Sequence, residues 1–371
     1  MKVECLKEKL RTAATNAERV TGKNLALPIL GSILIEAKEK TLLIRATNLE
    51  VGVEFEIPSK ILEKGKVAVS GSLLNSFLGL VGDGDVIKIE TVNENMVLTT
   101  RSSSSMIKCL PSDDFPTIPK LGDSNVLELD AVKLVNGLRS VAYAASLSDM
   151  KPEISSVYLY GEEDEIVFAA TDSFRLAEKR IKLKSREQKG DQISIIIPIK
   201  NALEIIRVLE GLNDSVSIYY TKNQVSFSSG TGGIYITSRL VNGIFPNYGQ
   251  IISKDKKSEV VVSKKELLNA LKLATVFTDK FNQVTFRIIP GEALFEVSSR
   301  NSDTGENTTK VEATVEGEDI TVNFNNKYIL DCFSSIEENT LGIAFNGAQR
   351  PMVIRGVGDT SFFYLVMPLN R

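Results

Sequence analysis

Each third of this chain ends on the same kind of dipeptide, a large apolar residue followed by proline. Phe115-Pro116, Phe245-Pro246 and Met367-Pro368 occupy these places in the 371-residue sequence. They close stretches of roughly 120 residues, which is the usual size of a domain and too long for a solenoid repeat. The pattern predicts three similar domains at residues 1–122, 126–253 and 257–371, with polar linkers between them. Equal domains joined end to end favour symmetric, often ring-like, assemblies.

Two amphipathic helices are predicted in each third, because apolar residues recur there at helical spacing. The first stripes comprise Leu6, Leu10, Ala13 and Ala17; Leu134, Leu138, Val141 and Ala145; and Leu267, Leu271 and Ala274. The second stripes comprise Leu74, Phe77 and Leu78; Ala202, Ile205, Ile206 and Leu209; and Ile329, Phe333 and Ile336. The stripes therefore predict six helices, each with one face in a core.

Short segments of alternating apolar residues lie between the helices. In one of them, the apolar residues Val51, Val53, Phe55 and Ile57 alternate with Gly52, Glu54 and Glu56. Period-two alternation of β-branched and aromatic residues is typical of half-buried antiparallel strands. Each third is therefore predicted to be an α+β domain, in which two helices pack on antiparallel sheets.

The composition argues against several classes of protein. The chain has no histidine, no Walker-type phosphate loop and a net charge of −3, so we expect no catalysis, no bound cofactor and no metal. Its three cysteines, Cys5, Cys109 and Cys332, are far apart in the sequence and are expected to be reduced thiols. No apolar run is long enough to span a bilayer and no signal-peptide core is present, so a cytoplasmic protein without a membrane partner is predicted.

Two local clusters are interpreted as turns. Glu162-Glu163-Asp164-Glu165 lies between two strand patterns, which favours a solvated hairpin tip over a metal site. Gly230-Thr231-Gly232-Gly233 also lies between strands rather than before a helix, which favours a turn over a phosphate loop.

Four motifs, in order along the chain, resemble those of the bacterial DNA polymerase III beta subunit, the replication sliding clamp. They are Leu27–Gly31; Ala170–Ala177; Ser238–Val241 with Phe245–Tyr248; and Tyr364–Leu369. The length and the triplication agree with that family as well. The resemblance therefore covers the whole chain.

This resemblance implies a head-to-tail homodimer of three-domain subunits, closed into a ring with helices lining the hole. It implies a processivity factor without chemistry of its own, which encircles duplex DNA and tethers the replicative polymerase. The implied partners are double-stranded DNA of any sequence, the DNA polymerase III catalytic subunit, a clamp loader that uses ATP, other proteins with a clamp-binding motif, and a second copy of the chain.

Basic residues on the polar sides of the predicted helices are candidates for contact with DNA phosphates. They are Lys7, Arg11, Arg139, Lys200, Lys265 and Lys272. The resemblance places a DNA-contacting basic residue at Lys200 and a DNA-contacting loop at Asn24. Some family members carry arginine at the latter position, and the neighbouring Lys23 could substitute for it here.

The resemblance also places an apolar pocket for a short peptide motif between the middle and last domains. Its predicted lining is Ile154, Thr171, Ser173, Phe174, Arg175, Leu176, Pro246, Gln250, Ile251, Leu365, Val366, Met367, Pro368 and Leu369. A concave apolar patch with a polar rim suits a leucine or phenylalanine anchor. Phe174 and Gln250 depart from residues common in the family, so the peptide preference is expected to differ.

The dimer seam, by the same resemblance, sets the last strand of the first domain against a helix end of the third. Ser105 and Ile107 would face Val276 and Phe277, with Ile107 and Phe277 as a small apolar centre. Ser105 stands where some members have an aromatic residue, which predicts a weaker seam.

Two other functions stay open at the level of sequence. The departures at Phe174 and Gln250 point towards a specialised clamp paralogue that serves repair or protects a drug target. An enzyme on the triplicated scaffold would use Asp172 and Arg175 in a cleft, although the lack of histidine argues against it. Binding of the replicative polymerase peptide would separate a paralogue from a replication clamp.

Overall fold

Two compact units make up the structure. This computed structural model describes residues 1–22, 27–82, 84, 86–122, 126–183, 193–252 and 256–369. Unit 1 comprises Met1–Val135 and Lys200–Asn242, and unit 2 comprises Asn136–Ile199 and Gly243–Arg371. The middle third of the sequence therefore contributes to both units.

Six helices are found in the described part of the chain, as predicted. They are α1 (Lys7–Val20), α2 (Gly71–Leu80), α3 (Ala131–Ala142), α4 (Ile199–Leu209), α5 (Lys264–Val276) and α6 (Asn326–Asp331). Ser70 and Asn325 begin α2 and α6 with side-chain oxygens that accept backbone N–H groups of the first turn. The assignment of Leu6 to the first apolar stripe is wrong, because Leu6 ends the strand before α1 and its side chain is exposed.

The described residues also form 27 β-strands. The first are β1 (Lys2–Leu6), β2 (Ser32–Ala37), β3 (Thr41–Thr47), β4 (Val51–Pro58), β5 (Lys60–Glu63), β6 (Gly65–Ser70), β7 (Val86–Val92), β8 (Asn95–Thr99), β9 (Ser104–Ile107), β10 (Cys109–Leu110) and β11 (Val126–Asp130). Next come β12 (Ser156–Glu162), β13 (Glu165–Thr171), β14 (Arg175–Lys182), β15 (Ser194–Pro198), β16 (Ser215–Tyr220), β17 (Gln224–Ser229) and β18 (Ile234–Arg239). The last are β19 (Ser258–Ser263), β20 (Gln283–Ile289), β21 (Leu294–Asn301), β22 (Gly305–Lys310), β23 (Ala313–Gly317), β24 (Ile320–Asn325), β25 (Thr340–Phe345), β26 (Met352–Gly356) and β27 (Phe362–Val366).

Unit 1 is built on two antiparallel sheets. One has five strands in the order β5-β1-β7-β8-β9, and the other has nine in the order β10-β6-β2-β3-β4-β18-β17-β16-β11. The nine-stranded sheet joins the first and middle thirds of the sequence, because β4 pairs with β18 and sets Val53 opposite Ile236. Helix α1 packs against α2, β3 and β4.

Unit 2 repeats this plan. Its nine-stranded sheet has the order β15-β12-β13-β14-β27-β26-β25-β19-β23, and its four-stranded sheet has the order β22-β21-β20-β24. Here β14 pairs with β27, so that Leu176 lies opposite Leu365 and the middle third is joined to the last. Helix α5 packs against α6, β21 and β22.

These two strand pairings explain why the middle third is shared between the units. Its strands β12–β15 extend one large sheet, and its strands β16–β18 extend the other. Hydrogen-bonded strands are close neighbours whatever their separation in sequence. The residue boundaries given above for the three domains stay a prediction.

Strand β4 departs from the predicted half-buried pattern. Glu54, expected on the polar face, is only 7% exposed. Its carboxylate accepts hydrogen bonds from Arg45 Nε at 2.5 Å and from Lys120 Nζ at 2.9 Å. Burial alone would raise the pKa of Glu54, but the bonds from Lys120 and Arg45 lower it below its ordinary value. The paired charges therefore allow a carboxylate inside the sheet.

Candidate functional site

A tight turn between β13 and β14 builds the centre of the predicted pocket. Thr171 Oγ1 donates to the carbonyl oxygen of Arg175 at 2.7 Å. Asp172 Oδ1 accepts from the backbone nitrogens of Phe174 at 2.9 Å and Arg175 at 3.0 Å. Ser173 lies in the left-handed region, with φ +77°. This turn leaves the Phe174 side chain 60% exposed and directs Arg175 inwards, where it is 9% exposed.

Arg175 is held by a network of acidic and aromatic groups. Its Nε donates to Asp172 Oδ2 at 2.9 Å, and its Nη1 donates to Asp331 Oδ2 at 2.5 Å. Its guanidinium carbon lies 4.5 Å from the centre of the Tyr328 ring. Burial alone would lower the pKa of Arg175, but Tyr364, Asp331 and Asp172 together raise it. Asp172 and Arg175 thus form an ion pair with each other.

The end of β27 lies beside this turn. Leu176 and Leu365 face each other across the strand pair and are fully buried, as is Val366. The backbone nitrogen of Met367 donates to the carbonyl oxygen of Phe174 at 2.8 Å, which continues the pairing past the strand end. The Met367 side chain is half-buried. Phe174 and Met367 therefore both contribute accessible apolar surface here.

The segment after β18 carries three more of the predicted pocket residues. Phe245 stacks on Tyr158 with ring centres 4.9 Å apart. Tyr248 donates from its hydroxyl to Glu178 Oε2 at 2.5 Å and shares a 2.8 Å hydrogen bond with the Tyr160 hydroxyl. These contacts hold the segment against the sheet. The residues between and after them, Pro246, Gln250 and Ile251, are exposed.

The buried tyrosines are expected to make the stability of the fold decrease at alkaline pH. Burial raises the pKa of Tyr248 far above its ordinary value, and the Glu178 carboxylate adds to the rise. Burial also raises the pKa of Tyr160 to about 12. A raised pKa means that the folded state holds the proton more tightly than the unfolded state. The associated stability is therefore present below about pH 10 and lost as the pH rises through the folded-state values.

Tyr248→Phe is expected to lower the free energy of unfolding at neutral pH by about 1–3 kcal/mol, because Glu178 loses one of its donors in a buried site. Above about pH 10 the variant should lose less stability with pH than the unsubstituted protein. Urea unfolding at a series of pH values measures both effects. Tyr219→Phe, at a half-buried tyrosine of β16, is the control. A Tyr248→Phe curve parallel to that control would contradict this account.

All the predicted pocket residues lie in unit 2, and the pairing of β14 with β27 brings Arg175 and Leu176 opposite Val366 and Leu365. Leu369 instead donates its backbone N–H to the carbonyl oxygen of Asn323. Ile154 is buried and next to Glu153, which lies against Gly243, two residues before Phe245. Sequence reasoning missed Tyr143, Tyr328, Asp331 and Tyr364, which surround Arg175. The Asp331 contact spans 156 residues, so no local pattern could reveal it.

The predicted DNA-facing residues fall into three groups. Arg11, Arg139, Lys200, Lys265 and Lys272 are exposed, as a phosphate contact requires. Lys23 and Asn24 lie outside the described residues. The prediction for Lys7 is wrong, because its side chain is 2% exposed. The buried residues of α1 include Lys7, Leu10, Ala14 and Ala17, so Lys7 lies on the apolar stripe one turn before Leu10.

The predicted seam residues lie beside two sheet edges. Val276 and Phe277 end α5, where Val276 is 65% exposed and the Phe277 ring borders Gly305, the first residue of edge strand β22. Ser105 and Ile107 lie on edge strand β9. Ile107 is only 8% exposed in the single chain, which favours a core position for it over a place in the seam. Alternation along β9 turns Ile107 inwards and leaves Met106 exposed.

Two negative findings apply to the residues that the structure describes. In those ranges no group of three or more histidine, cysteine, aspartate or glutamate side chains could hold a metal ion. No helix within them has the length and apolar character that a membrane span requires. The acidic cluster at 162–165 is the tip of the β12–β13 hairpin, with Glu162 opposite Glu165, as predicted.

Three sequence profiles match the chain in order. They describe the N-terminal, central and C-terminal domains of the DNA polymerase III beta subunit and match residues 1–119, 128–247 and 249–370. Together with the repeated two-helix, antiparallel-sheet plan, they define a protein of three β-clamp domains. The chain belongs to the DNA polymerase III beta subunit family, the bacterial beta sliding clamps.

Individual relatives agree over the full length. The beta sliding clamp of Synechocystis sp. is 28% identical over 391 residues, covering 100% of this chain and 99% of the relative. That of Bacillus subtilis is 27% identical over 381 residues, covering 100% of each. Among solved structures, the Bacillus subtilis DNA polymerase sliding clamp has a TM-score of 0.93 at 25% identity, covering 100% of this chain and 99% of that one. The Thermotoga maritima beta subunit has a TM-score of 0.92 at 26% identity, with the same coverage.

Proposed function

We propose that two copies of this chain close head to tail into a ring that encircles duplex DNA and tethers the replicative polymerase. The observation that carries this proposal is membership of the beta sliding clamp family along nearly the whole sequence. The ring has no chemistry of its own in this account, and a separate loader would use ATP to open it.

The two sheet edges supply the seam. Strand β9 ends the five-stranded sheet of unit 1, and β22 ends the four-stranded sheet of unit 2. An edge strand presents backbone N–H and C=O groups to any strand that can pair with it. Pairing β9 of one copy with β22 of the next would bury Met106 against Val276. An interface between unlike surfaces closes into a ring when its rotation allows.

The exposed basic side chains support contact with DNA phosphates. Arg11, Arg139, Lys200, Lys265 and Lys272 each lie on a helix, and each is exposed. Such contacts carry no base information, so binding would be independent of DNA sequence and would weaken as salt rises. Loose contact suits a ring, because closure keeps the DNA inside while the phosphates slide past.

The pocket supports the tethering role. Phe174 and Met367 present accessible apolar surface on a turn that Arg175 holds in place. Short peptides from the DNA polymerase III catalytic subunit, the clamp loader and other clamp-binding proteins would insert a leucine or phenylalanine there. A polymerase held in this way rebinds DNA as an intramolecular event, which raises its effective concentration at the primer end.

Retention on DNA of different topology tests the ring. After loading by a clamp loader, the protein should stay on a nicked circular duplex through gel filtration and be lost when the circle is cut. Cutting frees two ends from which a ring can slide. Blocking both ends with bound streptavidin should restore retention. Equal retention on circles and on unblocked linear duplex would contradict topological binding.

A specialised paralogue is the second candidate. Phe174 and Gln250, the positions that depart from the family, are both exposed at the pocket. Pull-down with this protein as bait, offered the C-terminal peptide of the replicative polymerase and repair proteins, separates the two functions. Capture of that peptide supports a replication clamp, and capture of repair proteins alone supports a paralogue.

A further inference from the structure

We infer that unit 1 carries a second peptide-binding site, built on the same backbone turn as the pocket at Arg175. The inference rests on the proposed function of that pocket, because it assigns the same use to a second copy of its frame. The site lies between the β3–β4 turn, the end of β18 and the Pro116–Pro119 segment. Its occupant would be an extended peptide with a small aliphatic side chain next to an acidic one.

The β3–β4 turn is defined by four hydrogen bonds between side chains and the backbone and by one positive φ angle. Thr47 Oγ1 donates to the carbonyl oxygen of Val51 at 2.8 Å and accepts from the backbone nitrogen of Leu49 at 3.0 Å. Asn48 Oδ1 accepts from the backbone nitrogens of Glu50 at 3.0 Å and Val51 at 2.8 Å. Leu49 lies in the left-handed region, with φ +75°.

The turn from Thr171 to Arg175 has a counterpart for each of these features. The two threonine bonds there measure 2.7 and 3.1 Å, and the two bonds to the aspartate measure 2.9 and 3.0 Å. The residue in the left-handed region is Ser173, with φ +77°. A turn with this geometry is therefore present twice, once in each unit, from the similar sequences Ala-Thr-Asn and Ala-Thr-Asp.

The neighbouring wall is also duplicated. The backbone nitrogen of Arg239, at the end of β18, donates to the carbonyl oxygen of Glu50 at 2.8 Å. In unit 2 the nitrogen of Met367 donates to the oxygen of Phe174, also at 2.8 Å. Arg239 therefore occupies in unit 1 the backbone position that Met367 occupies in unit 2.

An open cleft remains beside this frame. Its volume is about 610 Å³. Leu49, Pro116, Ile118 and Leu240 supply its apolar lining, and Pro116 follows Phe115 as Pro246 follows Phe245. The Leu49 side chain is 43% exposed. A leucine with positive φ is strained, and strained residues cluster at binding sites.

The side chains that differ between the two sites define the ligand. Where unit 2 has Leu176 opposite Leu365, unit 1 has Gly52 opposite Thr237. A Cβ at Gly52 would lie 3.0 Å from Ile118, so Ile118 already fills that part of the floor. The remaining space therefore favours an aliphatic side chain of the peptide that is smaller than leucine.

Arg239 selects the charge of the ligand. Its nearest acidic partner, Glu50, is 4.0 Å away, and the two side chains are 65% and 57% exposed. A pair so long and so exposed contributes little, and a carboxylate of the peptide could replace it at hydrogen-bond distance. In the first pocket the corresponding residue is the uncharged Met367, so the two sites should respond differently to ligand charge.

Calorimetric titration of the full-length protein tests the inference. The probe is the peptide acetyl-Gly-Leu-Asp-Val-Gly-amide, which offers leucine to the first pocket and aspartate beside the smaller valine to the second site. Its charge-reversed partner has lysine in place of aspartate. We expect two acidic peptides per chain and about tenfold weaker binding of the lysine peptide at the second site only. Arg239→Glu should invert that preference at the second site. Leu49→Asn should weaken the second site alone, since asparagine tolerates positive φ and the turn stays intact.

The combined variant Phe174→Ala and Met367→Ala separates this inference from the proposed pocket. Retention of one peptide that responds to Arg239→Glu supports the second site, even if the first pocket fails. A single peptide per chain that this double variant removes would leave the proposed pocket standing and overturn the second site. Absence of binding of either peptide at millimolar concentration would overturn both the proposed pocket and the second site. Affinities that none of these substitutions changes would overturn the second site.

Discussion

Val276→Glu is expected to convert the proposed dimer into a monomer. Val276 is 65% exposed at the end of α5, beside edge strand β22, where the proposed seam would cover it. A carboxylate buried there without a partner costs several kcal/mol, so the dissociation constant of the dimer should rise by at least about a hundredfold. Sedimentation velocity over a range of concentrations measures the change.

Val357→Glu is the matched control, because Val357 is another exposed valine of unit 2, at 51%. It lies outside the proposed seam and should leave the dimer intact. Loss of retention on circular DNA should accompany Val276→Glu, since a monomer cannot enclose the duplex. A fully dimeric Val276→Glu protein would place the seam elsewhere.

Phe174→Ala combined with Met367→Ala is expected to weaken binding of the polymerase C-terminal peptide strongly. Phe174 is 60% exposed and Met367 is half-buried, so both present surface to a ligand. Removal of two apolar contacts at the centre of an interface costs about 2–4 kcal/mol, which corresponds to a thirtyfold to thousandfold loss of affinity. Fluorescence anisotropy of the labelled peptide measures this loss.

The fold should survive that double substitution. The bond between the Met367 nitrogen and the Phe174 oxygen belongs to the backbone and is kept. Leu176 is left unchanged because it is fully buried, and its truncation would cost about 2–5 kcal/mol of stability. Leu80→Ala, at a 91% exposed residue of α2, is the control. Wild-type affinity in the double variant would rule out this pocket.

Helix positions could be predicted from the sequence because the signal is local. Leu10, Leu138 and Leu271 each belong to a different apolar stripe with helical spacing. Each is buried in the helix that its stripe predicts. The same rule could have identified Lys7. It lies three residues before Leu10 and therefore on the buried side of α1.

Strand identity could be predicted in the same way, but strand burial could not. The alternation around Val53 predicts a strand, and β4 is there. Whether Glu54 faces water depends on what covers its side of the sheet, and Arg45 and Lys120 do so from other parts of the chain. Ile107 is similarly buried although it lies on edge strand β9, and only the pairing of β9 with β8 shows which face of β9 is turned inwards.

The candidate site shows the same division. The Thr171–Arg175 motif and the C-terminal Met367-Pro368 are visible in the sequence through resemblance to the family. Tyr328 and Asp331 are not, because they meet Arg175 only after the last third folds against the middle third. The repeated turn at Thr47 shares only a short Ala-Thr-Asn/Asp sequence with the turn at Thr171, and its hydrogen bonds and its φ value are needed to identify it as a copy.

The sequence by itself determined the number of repeats, the α+β class, the six helices and the family, because these depend on spacing and on motifs that lie within a few residues. Only the tertiary structure decided that β4 pairs with β18 and β14 with β27, which divides the middle third between two units. It also decided which charges are buried. Pairing and burial are set by contacts between distant segments, and a linear pattern carries no record of them.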